Sequence, residues 1–287
     1  MDLSIIIVSY NTSEMTAKAV SSVIDTVKSY SYEIIVVDND SKDNSPKILK
    51  ELFEDKIILI ENKENLGFSR ANNMGIRMAR GEYILLLNSD TIAHDKAIDA
   101  ALAFAKQVDG IGAVGAKILL KDGTLDKACK RGFPTPWNSL SYSLKLDKLF
   151  KRSKFFGGYH LTHISEEEIS DVDCIMGAFM LLPSSVIEKV GLLDEDFFMY
   201  GEDIDWCYRI IKAGYKIIYY PKSVITHYKK ASFNKRRKQT IKEFYSSMKI
   251  FYNKHYDNKY PSVVKGMVFM GINLRFIIAV LINSLRK

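Results

Sequence analysis

Glu202, Asp203 and Asp205 crowd three carboxylates into four positions beside Gly201, at the junction of a loop and an amphipathic run. The positive end of a following helix would hold such carboxylates ionised, and an ionised carboxylate in a cleft accepts a proton or holds a metal. The plain alternative is an acidic first helical turn, which solvated helices use routinely. Spacing alone leaves both readings open. The choice rests on what else the chain brings to the same place.

Short β-branched runs at residues 4–9 and 33–37 read as strands buried on both faces, as in a parallel sheet. Between them, Met15, Ala19, Val20, Val23, Ile24 and Val27 recur at helical spacing over residues 13–29. The alternation continues with a helix over 45–53 opened by Ser45-Pro46, a strand over 57–61, a helix over 69–79 and a strand over 83–87. Repeated βα units of this kind predict an open, mostly parallel α/β sheet whose ligand sits at the carboxyl ends of the strands. Tyr10-Asn11, Asp38-Asn39-Asp40 and Asn88-Ser89-Asp90 end three of those strands and would gather at one edge.

No G-x-G-x-x-G follows the first strand and no G-x-x-x-x-G-K-S/T occurs, so the usual phosphate cradles are missing. A divalent cation held by carboxylate oxygens is the common substitute for gripping a diphosphate, and Asp90 at a strand end is the candidate ligand. Farther on, a strand is expected over 111–120. The aromatic, Gly-, Pro- and Lys-rich stretch 130–165 reads as a long loop that shapes a substrate pocket. Residues 172–182 read as one strand with a bulge or close approach at Gly177. Helices follow over 184–190 and 204–213, then a strand over 216–220 that ends at Pro221.

The chain has 287 residues, 47% apolar, enough for a substantial core. Cys129, Cys174 and Cys207 are odd in number and widely spaced, which argues against a disulfide framework or a zinc site and fits a reducing compartment. Met1-Asp2-Leu3-Ser4 carries an acid and no basic region, so no signal peptide is expected. The net charge of +7 is skewed to the C-terminal side, where residues 229–242 hold seven bases and no acid.

In order and spacing, these motifs resemble those of a family 2 glycosyltransferase with a GT-A fold, in the rhamnosyltransferase-like branch. They are Ile6-Ile-Val-Ser-Tyr-Asn11, Val36-Val-Asp-Asn-Asp-Ser41, Asn65-Leu-Gly-Phe-Ser-Arg-Ala-Asn-Asn73, Leu86-Leu-Asn-Ser-Asp90, Val172-Asp-Cys-Ile-Met-Gly-Ala-Phe179, Gly191-Leu-Leu-Asp194, Gly201-Glu-Asp-Ile-Asp205 and His227. The resemblance covers about residues 4–228. It implies a catalytic domain over 1–228, with a nucleotide-sugar half at 1–92 and an acceptor half at 93–228, followed by a C-terminal helical extension at 229–287.

The resemblance also implies roles. Asp38 would bind the nucleotide base, with Ser9, Tyr10 and Asn11 lining the same pocket; a carboxylate can accept the imide N–H of uracil or thymine. Asn65, Gly67, Arg70 and Asn73 would sit by the nucleotide and diphosphate. Asn88-Ser89-Asp90 takes the place of the family's Asp-x-Asp motif, with an amide where the first acid is usual. Asn88 and Ser89 then become nucleotide-sugar contacts, while Asp90 and His227 hold Mg2+ or Mn2+. Asp203 would be the general base of an inverting transfer and Glu202 its acceptor-side partner, with Asp205 structural. One of the crowded carboxylates should have a raised pKa.

No Gln-x-x-Arg-Trp motif follows, so the expected reaction is a single, non-processive transfer. The resemblance implies a donor of the dTDP or UDP type, for example one carrying L-rhamnose, and a cell-surface glycan or lipid-linked acceptor. Residues 262–285 are long enough to span a bilayer but are interrupted by Lys265, Asn273 and Arg275. The expectation is an interfacial helix pair, with residues 229–242 on anionic headgroups at the cytoplasmic face of the cell membrane. The competing reading packs the last helix on the catalytic domain or on a second copy in a homodimer. Two rival functions fit less well. A sugar nucleotidyltransferase needs a glycine-rich basic loop where Ser9-Tyr10-Asn11-Thr12-Ser13 stands, and a nucleic-acid-binding protein does not suit an acidic strand-end edge.

Overall fold

The computed structural model of the chain describes residues 1–229 and 237–285. The N-terminal alternation forms as expected: β1 (Leu3–Ser9), α1 (Ser13–Thr26), β2 (Tyr32–Asp38), α2 (Ser45–Phe53), β3 (Ile58–Glu61), α3 (Phe68–Met78) and β4 (Tyr83–Leu87). A short β5 (Thr91–Ala93) and a helix α4 (Ala97–Gln107) come next, and neither was foreseen. Ala97, Ile98, Ala101, Leu102 and Ala105 form the buried stripe of α4, a helical period masked by its small residues.

The chain continues through β6 (Ile111–Leu120), β7 (Lys130–Arg131), α5 (Pro136–Ser143), α6 (Leu146–Leu149), β8 (Ser170–Asp171), β9 (Cys174–Ile175), β10 (Phe179–Pro183) and α7 (Ser184–Val190). It finishes with α8 (Glu202–Lys212), β11 (Lys216–His227), α9 (Arg237–His255) and α10 (Ser262–Leu285). The stretch expected to be one long loop therefore carries two helices. Pro136 at the start of α5 supplies a preset helical φ, and the Thr135 hydroxyl accepts the Asn138 N–H at 3.1 Å.

One sheet orders its strands β3-β2-β1-β4-β10-β6-β11-β5, with β8 paired to β11. The β1–β2, β1–β4, β2–β3 and β6–β11 pairs are parallel, whereas β10 runs antiparallel to both β4 and β6. Two expectations need correction here. Residues 172–182 are not one strand; the chain breaks around Gly177 between β9 and β10 and joins two different sheets. Pro221 does not end its strand either. A bulge between Tyr220 and Val224 absorbs the missing N–H donor, and β11 runs on to His227.

Ile5, Ile6, Ile7, Val36, Leu85 and Leu86 are buried between helical layers, which is why their sequences read as unbroken apolar runs. The register pairs Ser9 with Asp38 and Asp38 with Glu61, so the strand ends arrive level at one edge. Trp206 on α8 is fully buried and its indole N–H donates to the Gly191 carbonyl at 2.9 Å. Truncating such a side chain costs roughly 3–5 kcal/mol, so α8 is fixed firmly against the sheet.

The C-terminal helices form a hairpin on the far side of α8. Phe251 and Tyr252 of α9, with Tyr256 just after it, share a buried cluster with Phe197. Contacts of Tyr245 with Phe276, Lys249 with Asn273 and Tyr252 with Phe269 set α10 antiparallel to α9. None of the described residues of α10 is buried, and its length and apolar composition would suffice to cross a membrane. Residues 230–236 of the basic run at 229–242 lie outside the described residues.

Candidate active site

Tyr200 and Gly201 both adopt left-handed backbone, with φ of 70° and 84°, and this turn throws the chain into α8. Glu202, Asp203 and Asp205 therefore occupy its first turn, at the positive end of the helix. The three carboxylates part company at once. Asp205 is 1% exposed and fully engaged, accepting from Arg209 Nε at 2.8 Å and from His255 Nε2 of α9 at 2.6 Å. Both of its carboxylate oxygens are spent inside the fold.

Asp203 forms an ion pair with Arg131 of β7 at 2.7 Å, and its other oxygen accepts the Ile204 N–H at 2.8 Å. Arg131 is itself buried; burial works against its charge, but the Asp203 carboxylate prevails and keeps the guanidinium protonated. Glu202 is buried with Oε2 lacking any hydrogen-bond partner in the protein. Burial, reinforced by the neighbouring Asp203 charge, pushes its pKa up to about 8. Near neutral pH Glu202 thus holds its proton.

Asp90, in the turn between β4 and β5, meets His227 at the end of β11, with His227 Nε2 at 3.0 Å from an Asp90 oxygen. The imidazole is backed by Asp126, whose Oδ2 lies 3.9 Å from Nδ1 and also pairs with Lys229 at 2.6 Å. Burial opposes a charged imidazole there, yet the Asp126 and Asp90 carboxylates outweigh it and raise the His227 pKa. Among the described residues no group of three or more His, Cys, Asp or Glu side chains forms a closed metal cage. A carboxylate and an imidazole this close, opening on an unpartnered Asn88 Oδ1, do fit a cation that completes its shell with phosphate oxygens and water.

The expected nucleotide contacts divide into two groups. Asp38 is 1% exposed; its Oδ2 accepts the Ser41 N–H at 2.9 Å while Oδ1 has no partner, and burial raises its pKa. Asn11 builds the wall beside it, donating its N–H to Ser41 Oγ and accepting the Lys42 N–H. Tyr10 is half-buried on the same loop, and Ser89 reaches Thr12 across 3.3 Å. The Ser9 hydroxyl, by contrast, turns inward to Thr16 at 2.9 Å.

Asn65 and Asn73 also serve the framework rather than an open pocket. Asn65 accepts from the Gly67 N–H and the Asn39 amide. Both Asn73 N–H donors are used, on Leu193 O and Glu195, and its oxygen accepts the Leu193 N–H. Gly67 has φ of 85°, and a Cβ there would stand 2.5 Å from the Phe198 carbonyl oxygen, so no other residue fits. Arg70 lies at the rim, 3.4 Å from Glu195.

The two edges adjoin. Asn88 N–H donates to Ala178 O, and a Cβ on the preceding Gly177 would lie 3.8 Å from Asp203 Cβ. Sequence reasoning missed Arg131, Asp126 and His255. Arg131 alone carried a faint signal, as part of a Lys-Arg pair in an otherwise aromatic stretch.

The model of glycosyl transferase family 2 matches residues 4–165. The chain belongs to this family. One relative, the low-salt glycan biosynthesis hexosyltransferase Agl10 of Haloferax volcanii, is 33% identical over 75% of this chain and 64% of its own length. The poly(ribitol-phosphate) beta-N-acetylglucosaminyltransferase TarP of Staphylococcus aureus is 29% identical over 53% of this chain and 49% of its own length. The chain thus spans about half to two thirds of the length of these curated relatives.

Among solved structures, the mannosyltransferase PcManGT of Pyrobaculum calidifontis, in complex with GDP-Man and Mn2+, aligns with a TM-score of 0.61 at 17% identity over 96% of this chain and 69% of that one. GalNAc-T7 with UDP, GalNAc and Mn2+ aligns with a TM-score of 0.59 at 19% identity, over 79% and 44% of the two chains. These likenesses establish the GT-A architecture, a mixed sheet flanked by helices with an added C-terminal helix.

Proposed function

We propose that this protein transfers one sugar, without processivity, from a nucleoside diphosphate sugar to an acceptor hydroxyl, with inversion at the anomeric carbon. One observation carries the reading: Asp38 Oδ1, Asn88 Oδ1 and Glu202 Oε2 are buried oxygens with no protein partner, and all three belong to the strand-end edge and the helix that closes it. Other buried atoms without a partner, such as Asp99 Oδ1, Asp147 Oδ1 and the Tyr252 hydroxyl, lie apart from one another, whereas these three gather along one edge, where a ligand can supply their partners. The family and its hexosyltransferase relative point to the same chemistry.

In this reading the base pairs through its imide N–H with Asp38, on the side formed by residues 1–92, and the acceptor is held by residues 93–228. The Asp203 carboxylate takes the acceptor hydroxyl proton as that oxygen bonds to the anomeric carbon. The bond from this carbon to the diphosphate oxygen breaks, and its electron pair leaves with the nucleoside diphosphate. Glu202, protonated near neutral pH, donates a hydrogen bond on the acceptor side, and Arg131 holds Asp203 in line. A Mg2+ or Mn2+ ion held by Asp90 and His227 would neutralise charge on the leaving diphosphate. The apolar, exposed α10 supports a place at a membrane surface, with a glycan or lipid-linked acceptor.

A thermal-shift screen of UDP-, dTDP- and GDP-sugars with Mn2+ tests this. A ligand at a hundred times its Kd adds about 2.7 kcal/mol, a rise of roughly 5–10 °C for a chain of this size. Asp38→Asn should weaken nucleotide binding by roughly tenfold or more, the loss of a charge-assisted hydrogen bond. If no nucleotide sugar raises the melting temperature, the reading fails.

A further inference from the structure

The segment that runs from α5 through α6 to residue 156 presents a surface that the reaction does not use. Trp137, Leu149, Phe150 and Phe155 are 38%, 72%, 46% and 61% exposed. Among them stand Lys145, Lys148, Lys151, Arg152 and Lys154, all exposed and without an ion pair among the described residues. The one acid between residues 136 and 156, Asp147, is buried.

This exposure is built into the segment. The Trp137 ring packs on Phe155 with centroids 4.6 Å apart, and its indole N–H donates to the Phe155 carbonyl at 2.9 Å. Phe150 stacks on Phe156 at 4.7 Å, and Ser141 Oγ donates to the Phe156 carbonyl at 2.7 Å. Aromatic rings held half in water by their neighbours, ringed by free cations, match the chemistry of a bilayer interface. Indole and phenyl rings settle at headgroup depth there while Lys and Arg meet lipid phosphates.

We propose that this face seats on an anionic phospholipid surface. A second copy of the chain is disfavoured as occupant, because an isologous contact would set five cations against five. A soluble phosphate polymer would satisfy the cations but leave Leu149, Phe150 and Phe155 in water. The surface matters because of what lies beneath it. Tyr159, which closes the segment, accepts the Gly132 N–H at 3.0 Å, and its hydroxyl adjoins the Arg131 guanidinium that grips Asp203. Membrane seating would therefore present a lipid-borne hydroxyl to the acceptor side. The seating itself does not depend on the proposed reaction.

The chain contains two tryptophans, exposed Trp137 and wholly buried Trp206, so Trp137 is a local probe. With the full chain and vesicles of phosphatidylcholine plus phosphatidylglycerol, Trp137 emission should shift blue and be quenched by brominated acyl chains. Trp137→Phe should abolish both effects while the Trp206 signal reports an intact core. Lys148→Glu/Lys151→Glu/Lys154→Glu should weaken the Trp137 response at least about tenfold in lipid concentration. Vesicle-bound protein with unchanged Trp137 emission would overturn the proposal and leave α10 as the sole membrane contact. An equal shift on pure phosphatidylcholine, or with soluble polyphosphate, would overturn it as well.

Discussion

His255 on α9 donates to Asp205 on α8 across 2.6 Å, two positions beyond Asp203. Lys254 beside it bridges Asp194 and Asp196 at 2.6 Å each. The C-terminal hairpin is thereby fastened to the helix that carries Glu202 and Asp203. His255→Ala leaves a fully buried carboxylate with Arg209 alone and should cost about 1–3 kcal/mol of stability, measured by denaturant unfolding. Transfer activity should fall with it, because the first turn of α8 loses its brace.

The Arg131–Asp203 ion pair should behave as a buried pair does. Arg131→Met strands Asp203 beside Glu202 and should destabilise the protein by roughly 3–5 kcal/mol. Adding Asp203→Leu should recover part of that loss in a double-mutant cycle. Asp203→Asn, which keeps shape and removes the base, should lower kcat by about 10²-fold or more with donor Kd little changed. A loss confined to donor affinity would reassign Asp203 to binding.

Asp90→Ala and His227→Ala should each abolish the Mn2+-dependent part of the UDP thermal shift, and EDTA should do the same to the intact chain. Isothermal titration of Mn2+ in the presence of UDP checks this without any turnover. Activity that survives exhaustive chelation would remove the metal role from both residues.

Glu202 makes stability depend on pH. Its pKa rises from the ordinary 4.5 of a free carboxyl to about 8 in the fold, so between those values the folded state holds a proton that the unfolded chain has lost. Its contribution is therefore fully present below pH 4.5 and is lost as pH climbs through 8. Glu202→Gln should flatten that part of the melting-temperature profile and leave the protein more stable than the parent above pH 8. An unchanged slope would place the titration elsewhere.

The strands β1, β2 and β4 were legible because burial on both faces writes an unbroken apolar run, and their polar ends announced Asp38 and Asp90. Pro221 misled because a bulge lies outside any local period, and α4 was missed because its buried stripe is mostly alanine. Within the site, the crowding of the α8 carboxylates was legible, and so was the separateness of Asp205, whose two oxygens are both spent inside the fold. Their partners could not be named, since Arg131 and His255 reach α8 across 72 and 50 positions of chain. Asn73 shows the reverse failure: a polar residue inside a functional motif that spends its amide on the backbone of Leu193.

Those bonds of Asn73, together with Phe68 N–H to Phe198 O at 2.7 Å and Ser69 Oγ to Phe197 O at 2.6 Å, weld α3 to the turn before α8. A designer who swaps residues 191–203 with those of a relative, hoping to change the acceptor while keeping the donor, would cut across that weld. Residues 65–73 must travel with the graft. Donor and acceptor preference are then inherited as one module, and a successful exchange is drawn along contacts in space rather than along the chain.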